Sequence, residues 1–303
     1  MSLPLLDWSR FTGGDKAGFV ADLGRAARDP GFFLLTNHGI DDALIAQVFD
    51  EAGAFGALPP EGKEGWAIST NPHNRGWAWL GSERLDDTTG QIDQKEAFNI
   101  GFDLAPDDPR VLNGEPFRGV NLWPTLPGFK PVMLAYFDAV HRLGMAMMRA
   151  VALDLGLPED RFDAELDEPL ATLRLLSYPA ETGEEGAIGA GAHTDYGALT
   201  FLLTDGTPGL QVRPRGRDWI DAPEVPGAFI VNIGDCLMRW TNDVYVSTPH
   251  RVLPPPRPRR SVAFFLDPNP EAVIAALPGT GPAKYAEVSG AEYLRSRLEA
   301  TYG

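Results

Sequence analysis

The chain has 303 residues, enough for one large domain or two small ones with a sizeable core, and it carries a formal net charge of −16 from 42 acidic and 26 basic side chains. So acidic a surface repels phosphate backbones and anionic lipid, which argues against nucleic acid and membrane surfaces as partners. The one cysteine, Cys236, excludes an intrachain disulfide, and neither a secretory-type N-terminus nor an apolar run of membrane-spanning length is present, so the expected setting is the reduced cytoplasm.

In chain order, DKAGFVADLGRAAR (15–28) places Phe19, Leu23 and Ala26 at helical spacing behind a polar start and predicts a helix. GFFLLTNHGI (31–40) predicts a strand ended by an Asn-His-Gly turn, and DDALIAQVFDEAGAFGAL (41–58) a second helix. Residues 59–129 are rich in Gly, Pro, Asp and Asn and predict loops. The apolar stretch 128–155 predicts a long helix packed on the core. From 171 the texture changes to short β-rich runs, ATLRLLSYP, ALTFLLTD, GLQVRPRGRDWIDAP, AFIVNIGD and SVAFFLDP, punctuated by Gly, Pro and Asp. That is the pattern of an antiparallel sandwich, barrel or jelly roll. SGAEYLRSRLEATYG (289–303) predicts a capped closing helix. The expected organisation is one compact unit: a mixed N-terminal region (1–120), a supporting-helix region (121–170), a β core (171–270) and a C-terminal helix (271–303).

Of the five histidines, His193 stands two residues before Asp195 in GAHTDYGAL, where the chain enters a β run. On an extended backbone residues i and i+2 share a face, so imidazole and carboxylate can converge. His250, in TPHRVL, begins another β-like segment and can add a second nitrogen. Two histidines and one carboxylate make the facial set used by non-haem Fe(II) oxygenases, which leaves positions open for a co-substrate and O2; a closed zinc site needs four ligands, usually with thiolates. Arg259 and Ser261, in RRSVAFF, again share a face, together with Ala263 and Phe265, and suit a carboxylate clamp. Arg260 points the other way. Asn232, Gly234 and Asp235 are expected in a tight turn, and Trp240, Thr241 and Asn242 at the barrel mouth. His38 and His141 read as local structure and Cys236 as a small buried hydrophobe.

GAHTDYGALTFLL, PGLQV, VNIGDCLMRWTND, STPHRVL and RRSVAFFLDPNP, in this order and spacing, resemble the Fe(II)/2-oxoglutarate dioxygenase superfamily, and more narrowly its isopenicillin N synthase-like branch. PLLDWSRF, DPGFFLLTNHGI, RGWAWLGSE and DQKEAFNIG fit the N-terminal region of that branch, so the resemblance spans nearly the whole chain. It implies a mainly β fold with flanking helices around a double-stranded β-helix (a cupin-like jelly roll), and Fe(II) on His193, Asp195 and His250. It implies that Arg259 and Ser261 bind the distal carboxylate of 2-oxoglutarate, and that Tyr178, in LLSYP, matches the tyrosine that also reaches this co-substrate. Leu176 and Ser177 stand where the family has Asn and Tyr, so one polar contact is absent or replaced. The implied activity is oxidation, chiefly hydroxylation, of a small molecule, with O2 consumed and succinate and CO2 released. For substrate contact the candidates are Asn74 and Arg75 in a turn-rich loop, Arg174, which has the parity of Tyr178, and Phe265; a cation at 174 favours an acidic substrate. Two alternatives stand beside this: an iron oxidase of the isopenicillin N synthase or ACC oxidase kind, in which the Arg-Ser pair holds another carboxylate, and a non-catalytic jelly-roll binding protein. Nothing in the sequence fixes the substrate or the oligomeric state.

Overall fold

The computed structural model describes residues 2–302 except 87, 182, 184 and 185, without the side chains of 300–302. The chain begins with strand β1 (Leu5–Asp7), helices α1 (Ser9–Gly13) and α2 (Lys16–Arg28), strand β2 (Phe32–Thr36) and helix α3 (Asp42–Gly56). Helix α4 (Pro60–Lys63), strands β3 (Gly76–Ala78) and β4 (Glu96–Gly101) and helix α5 (Pro109–Leu112) come next, then the long α6 (Phe129–Asp154) and short α7 (Asp163–Leu166). The second half supplies β5 (Thr172–Tyr178), β6 (Ala190–His193), β7 (Leu199–Thr204), β8 (Leu210–Val212), β9 (Ile220–Asp221) and β10 (Phe229–Ile233). Helix α8 (Asp235–Trp240), β11 (His250–Val252), β12 (Arg259–Leu266), β13 (Val273–Ile274), β14 (Val288–Ser289) and α9 (Gly290–Tyr302) complete it.

Successive strands from β5 to β12 are dealt between two sheets. An eight-stranded sheet has the order β1-β2-β10-β7-β12-β5-β4-β3, and a four-stranded sheet the order β6-β11-β8-β9. This alternation is the double-stranded β-helix. Strands of the large sheet read as continuous apolar runs because both of their faces are buried. On β12, Val262, Phe264 and Leu266 enter one core with Leu173, Phe201 and Val231, against Met133, Tyr136, Phe137, Val140, Met147 and Val151 of α6. Ala263 enters a second core with Leu176, Tyr178, Ile230, Leu210 and Val252, between the sheets. Burying each large side chain contributes about 1.5–3 kcal/mol. At Gly144 an added Cβ would lie 3.0 Å from Leu266 Cδ2, so a side chain here would hold α6 off the sheet.

The helices predicted at 15–28, 41–58, 128–155 and 289–303 all form. Asp15 and Asp41 cap the first two through Gly18 N and Ala43 N. Ser289 and Glu292 form a reciprocal capping box on the last. One feature departs from the expected pattern. The loop-rich stretch 59–129 holds β3 and β4, which extend the large sheet past β5; strands this short among turn formers carry little periodic signal. The β-rich unit from 171 pairs its strands antiparallel, as expected, and the parallel pair of β1 with β2 lies outside it. No described helix is long and apolar enough to cross a membrane.

Candidate active site

His193 is the last residue of β6, and its Cα partner across the ladder is His250, the first residue of β11. Pairing of these two short strands therefore juxtaposes histidines 57 residues apart in sequence, with ring centroids 4.3 Å apart. Asp195 lies beyond the end of β6 rather than on it. Its Oδ1 sits 3.8 Å from His193 Nε2 and 3.5 Å from His250 Nε2. Ligand atoms of the three residues lie within 4.8 Å of one another, the one such group among the described residues.

Each outward atom is set by the bond its partner atom makes. Nδ1 of His193 is 2.7 Å from the carbonyl of Gly191 and Nδ1 of His250 is 3.3 Å from that of Thr248. Carbonyls only accept, so both Nδ1 atoms carry a proton and both Nε2 atoms are turned toward Asp195. Asp195 Oδ2 accepts from Thr200 Oγ1 (2.6 Å) and Asn232 Nδ2 (2.9 Å), which leaves Oδ1 for the histidines. Burial, reinforced by His250, pushes the His193 pKa down to about 3. Burial acts against charge on His250 and Asp195 too. There it is outweighed by their mutual attraction, so His250 is raised and Asp195 held below the usual carboxylate range. Two neutral nitrogens and one ionised oxygen, with bonded outer atoms, fit a divalent iron.

The cavity beside this group lies between the sheets and is lined by Tyr178, Arg259, Ser261 and all three metal-type residues. Arg259 is 1% exposed. Its Nε donates to Thr207 O and its Nη1 to Ser261 Oγ (3.2 Å), its guanidinium lies 5.1 Å from the Tyr178 ring centroid, and Nη2 is buried with no partner among the described residues. No described carboxylate pairs with it. A buried guanidinium without a counter-charge is costly, and a ligand carboxylate is its natural complement. Leu176 and Phe265 also line the cavity, as do Asn74 and Arg174, whose guanidinium is ion-paired with Glu83. Arg75 does not. It is buried, donating to the carbonyls of His73 and Phe117, and burial lowers its pKa to about 10.

Several residues escape sequence reading. Asn232 is not in a turn but in β10, holding Asp195. Gly234 and Asp235 start α8 instead, and Trp240, Thr241 and Asn242 are buried, with Trp240 packed on Phe162 away from any mouth. Thr200 lay in a recognised strand, but its partner could not be guessed. Asn99 was hidden because β4 was. Asp267 also lines the cavity: it continues the parity of Arg259, Ser261 and Phe265, a signal that carried one step further would have found it. Burial, then the charge of Asp195, push its pKa up to about 7.

A jelly roll with a His-Asp-His cluster and a buried arginine in one cavity has the make-up of a non-haem iron oxygenase. Residues 169–268 match the family model for the 2OG-Fe(II) oxygenase superfamily, and residues 3–126 that for the non-haem dioxygenase in morphine synthesis N-terminal region. The chain is 37% identical over 317 residues to the 2-oxoglutarate-Fe(II) type oxidoreductase hxnY of Emericella nidulans, covering 99% of this chain and 90% of that one. It is 35% identical to the rice homoarginine-6-hydroxylase 2-ODD-233, covering 98% and 96%. A full-length Neurospora crassa protein solved in complex with alpha-KG and thymine superposes with a TM-score of 0.87 at 34% identity, over 98% of this chain and 96% of that one. The chain belongs to the 2OG-Fe(II) oxygenase superfamily. It is an oxidoreductase whose cofactors are Fe(II) and 2-oxoglutarate.

Proposed function

We propose that His193, Asp195 and His250 hold the iron, that Arg259, Ser261 and Tyr178 hold 2-oxoglutarate, and that the enzyme hydroxylates a small organic molecule. When bound, iron and 2-oxoglutarate supply the oxidising chemistry, with succinate and CO2 released. The protein's own part is placement. Arg259 anchors the distal carboxylate, with Ser261 Oγ fixing one arm of the guanidinium and the Tyr178 ring lying over it. The apolar walls, Phe32, Leu176 and Phe265, exclude water from the reacting end. Asn74, Arg174 and Phe265 are proposed to meet the substrate. Arg75, bonded among main-chain carbonyls, is assigned to the shape of its loop. Hydroxylation is supported by the activity named for the rice relative. The lone, buried thiol of Cys236 supports a cytoplasmic setting.

The observation that carries the co-substrate assignment is the buried guanidinium of Arg259, which has no counter-charge among the described residues. The test is anaerobic addition of Fe(II) and 2-oxoglutarate. A visible charge-transfer band, followed by succinate on admitting O2, with both lost in Arg259→Ala, is the expected result. Iron binding without a band would overturn it in favour of an oxidase in which Arg259 holds another carboxylate. Asp195→Ala should abolish turnover; a protein that merely binds ligands would be indifferent.

A further inference from the structure

The cations of the cavity wall other than Arg259 are already neutralised. Arg174 pairs with Glu83, and Lys95 pairs with Glu83 (3.0 Å) and Asp93 (2.5 Å). An acidic substrate therefore gains little from Arg174, contrary to what its charge alone suggests.

The acceptors are a different matter. Asn99 is 1% exposed and lines the cavity, yet its Oδ1 accepts no hydrogen bond from any described residue. Its amide cannot be turned round without cost, because Nδ2 faces the main-chain carbonyl of Asn74 (3.4 Å) as well as Asn74 Oδ1 (3.2 Å). Asp267 is 6% exposed, lines the same cavity and accepts no hydrogen bond from any described residue. It is also outside the group of metal-type residues. Leaving a buried acceptor unpaired costs free energy that a ligand donor recovers.

Both residues lie on the inner face of the large sheet. Asn99 pairs across the ladders with Arg174, and Arg174 with Ala263. Asp267 follows β12 and lies against the metal loop, where a Cβ on Gly197 would come 3.2 Å from its Oδ1. Arg259 stands at the opposite end of β12, about 26 Å of extended chain away. A ligand group at Asp267 is therefore separate from the 2-oxoglutarate clamp.

We propose that Asp267 and Asn99 are specificity-determining residues, and that the substrate is a nitrogen compound presenting an N–H donor to at least one of them. This rests on the oxygenase reading of the same cavity. Two kinds of ligand carry that chemistry: a neutral lactam ring and a cationic guanidinium or amine. A site with unpaired acceptors rejects analogues that lack the donor.

Full-length enzyme loaded with Fe(II) and 2-oxoglutarate under argon is titrated calorimetrically with thymine against 1,3-dimethylthymine, and with homoarginine against hexanoate, which keeps the carbon chain and has neither guanidinium nor amine. Benzoate serves as the N–H-free acid. At least one N–H probe should bind, roughly tenfold or more tighter than its N–H-deficient counterpart. At least one of Asp267→Ala and Asn99→Ala should weaken that probe by about tenfold or more and narrow the gap to the counterpart. Asp267→Asn separates the sources: it weakens a cationic probe and spares a lactam. Equal binding of parent and counterpart, unchanged binding in both alanine variants, no N–H probe binding below about 10 mM, or benzoate binding tighter than every N–H probe would each overturn the proposal. Loading is read separately from the visible band. Absence of the band in the unmodified protein would sink the co-substrate reading, while titration of the iron-loaded protein still decides the N–H question.

Discussion

At the scale of single residues, the candidate iron site depends on how one carboxylate is divided. Oδ1 of Asp195 faces the histidines because Oδ2 is occupied by Thr200 and Asn232. Outer contacts of this kind typically contribute 10–100-fold to metal affinity. Thr200→Val and Asn232→Leu should therefore each weaken Fe(II) binding by about 10-fold or more while the fold persists, as read by anaerobic metal titration and far-UV circular dichroism. An unchanged affinity would show that the orientation of Asp195 is set elsewhere. The histidines also differ in proton affinity. His250 is raised above its ordinary 6.5, whereas His193 is held at about 3. A proton competes with iron for a ligand only below that ligand's pKa. In the metal-free protein His250 is thus the competitor near neutrality and His193 is not. Iron affinity should fall by about tenfold per pH unit as pH drops below the raised His250 value, with one proton released per iron bound. A fall of two decades per unit near pH 6 would mean both rings compete.

Among elements, α8 has a role that its sequence conceals. Its first amides hold the metal loop by the backbone: Gly234 N bonds Ala198 O, Asp235 N bonds Asp195 O at 2.7 Å, and Cys236 N bonds Tyr196 O. Gly234 has an ordinary extended conformation, so backbone freedom is not why it is glycine. The reason is space, since an added Cβ would lie 2.2 Å from Gly197 O. Gly234→Ala should cost about 1–3 kcal/mol of stability and, by moving the 195–197 loop, should weaken iron binding as well. Thermal unfolding and metal titration measure the two effects. A loss of stability with intact iron affinity would mean that the strain relaxes away from Asp195.

Over the whole molecule, the cavity is closed by the last helix. Leu294 and Leu298 of α9 line it together with residues of both sheets. The helix is tied back by Arg297 to Asp235 (2.9 Å) and by Ala291 N to Pro270 O. None of the metal-type residues or of the arginine clamp comes from α9. Removal of residues 290–303 should therefore leave Fe(II) and 2-oxoglutarate binding within a few-fold, while substrate-dependent succinate formation falls about tenfold or more because the reacting end is open to water. Loss of 2-oxoglutarate binding on truncation would instead give α9 a structural role in the clamp.

Much of this was legible in one dimension, because local physics writes it there. The helices at 15–28, 41–58, 128–155 and 289–303 follow from apolar periodicity and capping residues, and the inward parity of Arg259, Ser261 and Phe265 follows from the two-residue repeat of a strand. His193, Asp195 and His250 were recognisable as residue types suited to iron. What the chain alone could not decide was which distant side chains meet. The pairing of His193 with His250 is a register between two short strands, and the grip of Thr200 and Asn232 on Asp195 comes from neighbouring strands of the other sheet. The neutralisation of Arg174 by Glu83 comes from a loop without periodicity. These are long-range contacts, set by packing of the two sheets against each other, and no local pattern encodes them. The same packing leaves Asn99 Oδ1 buried without a donor among the described residues and turns Asp267 into the cavity.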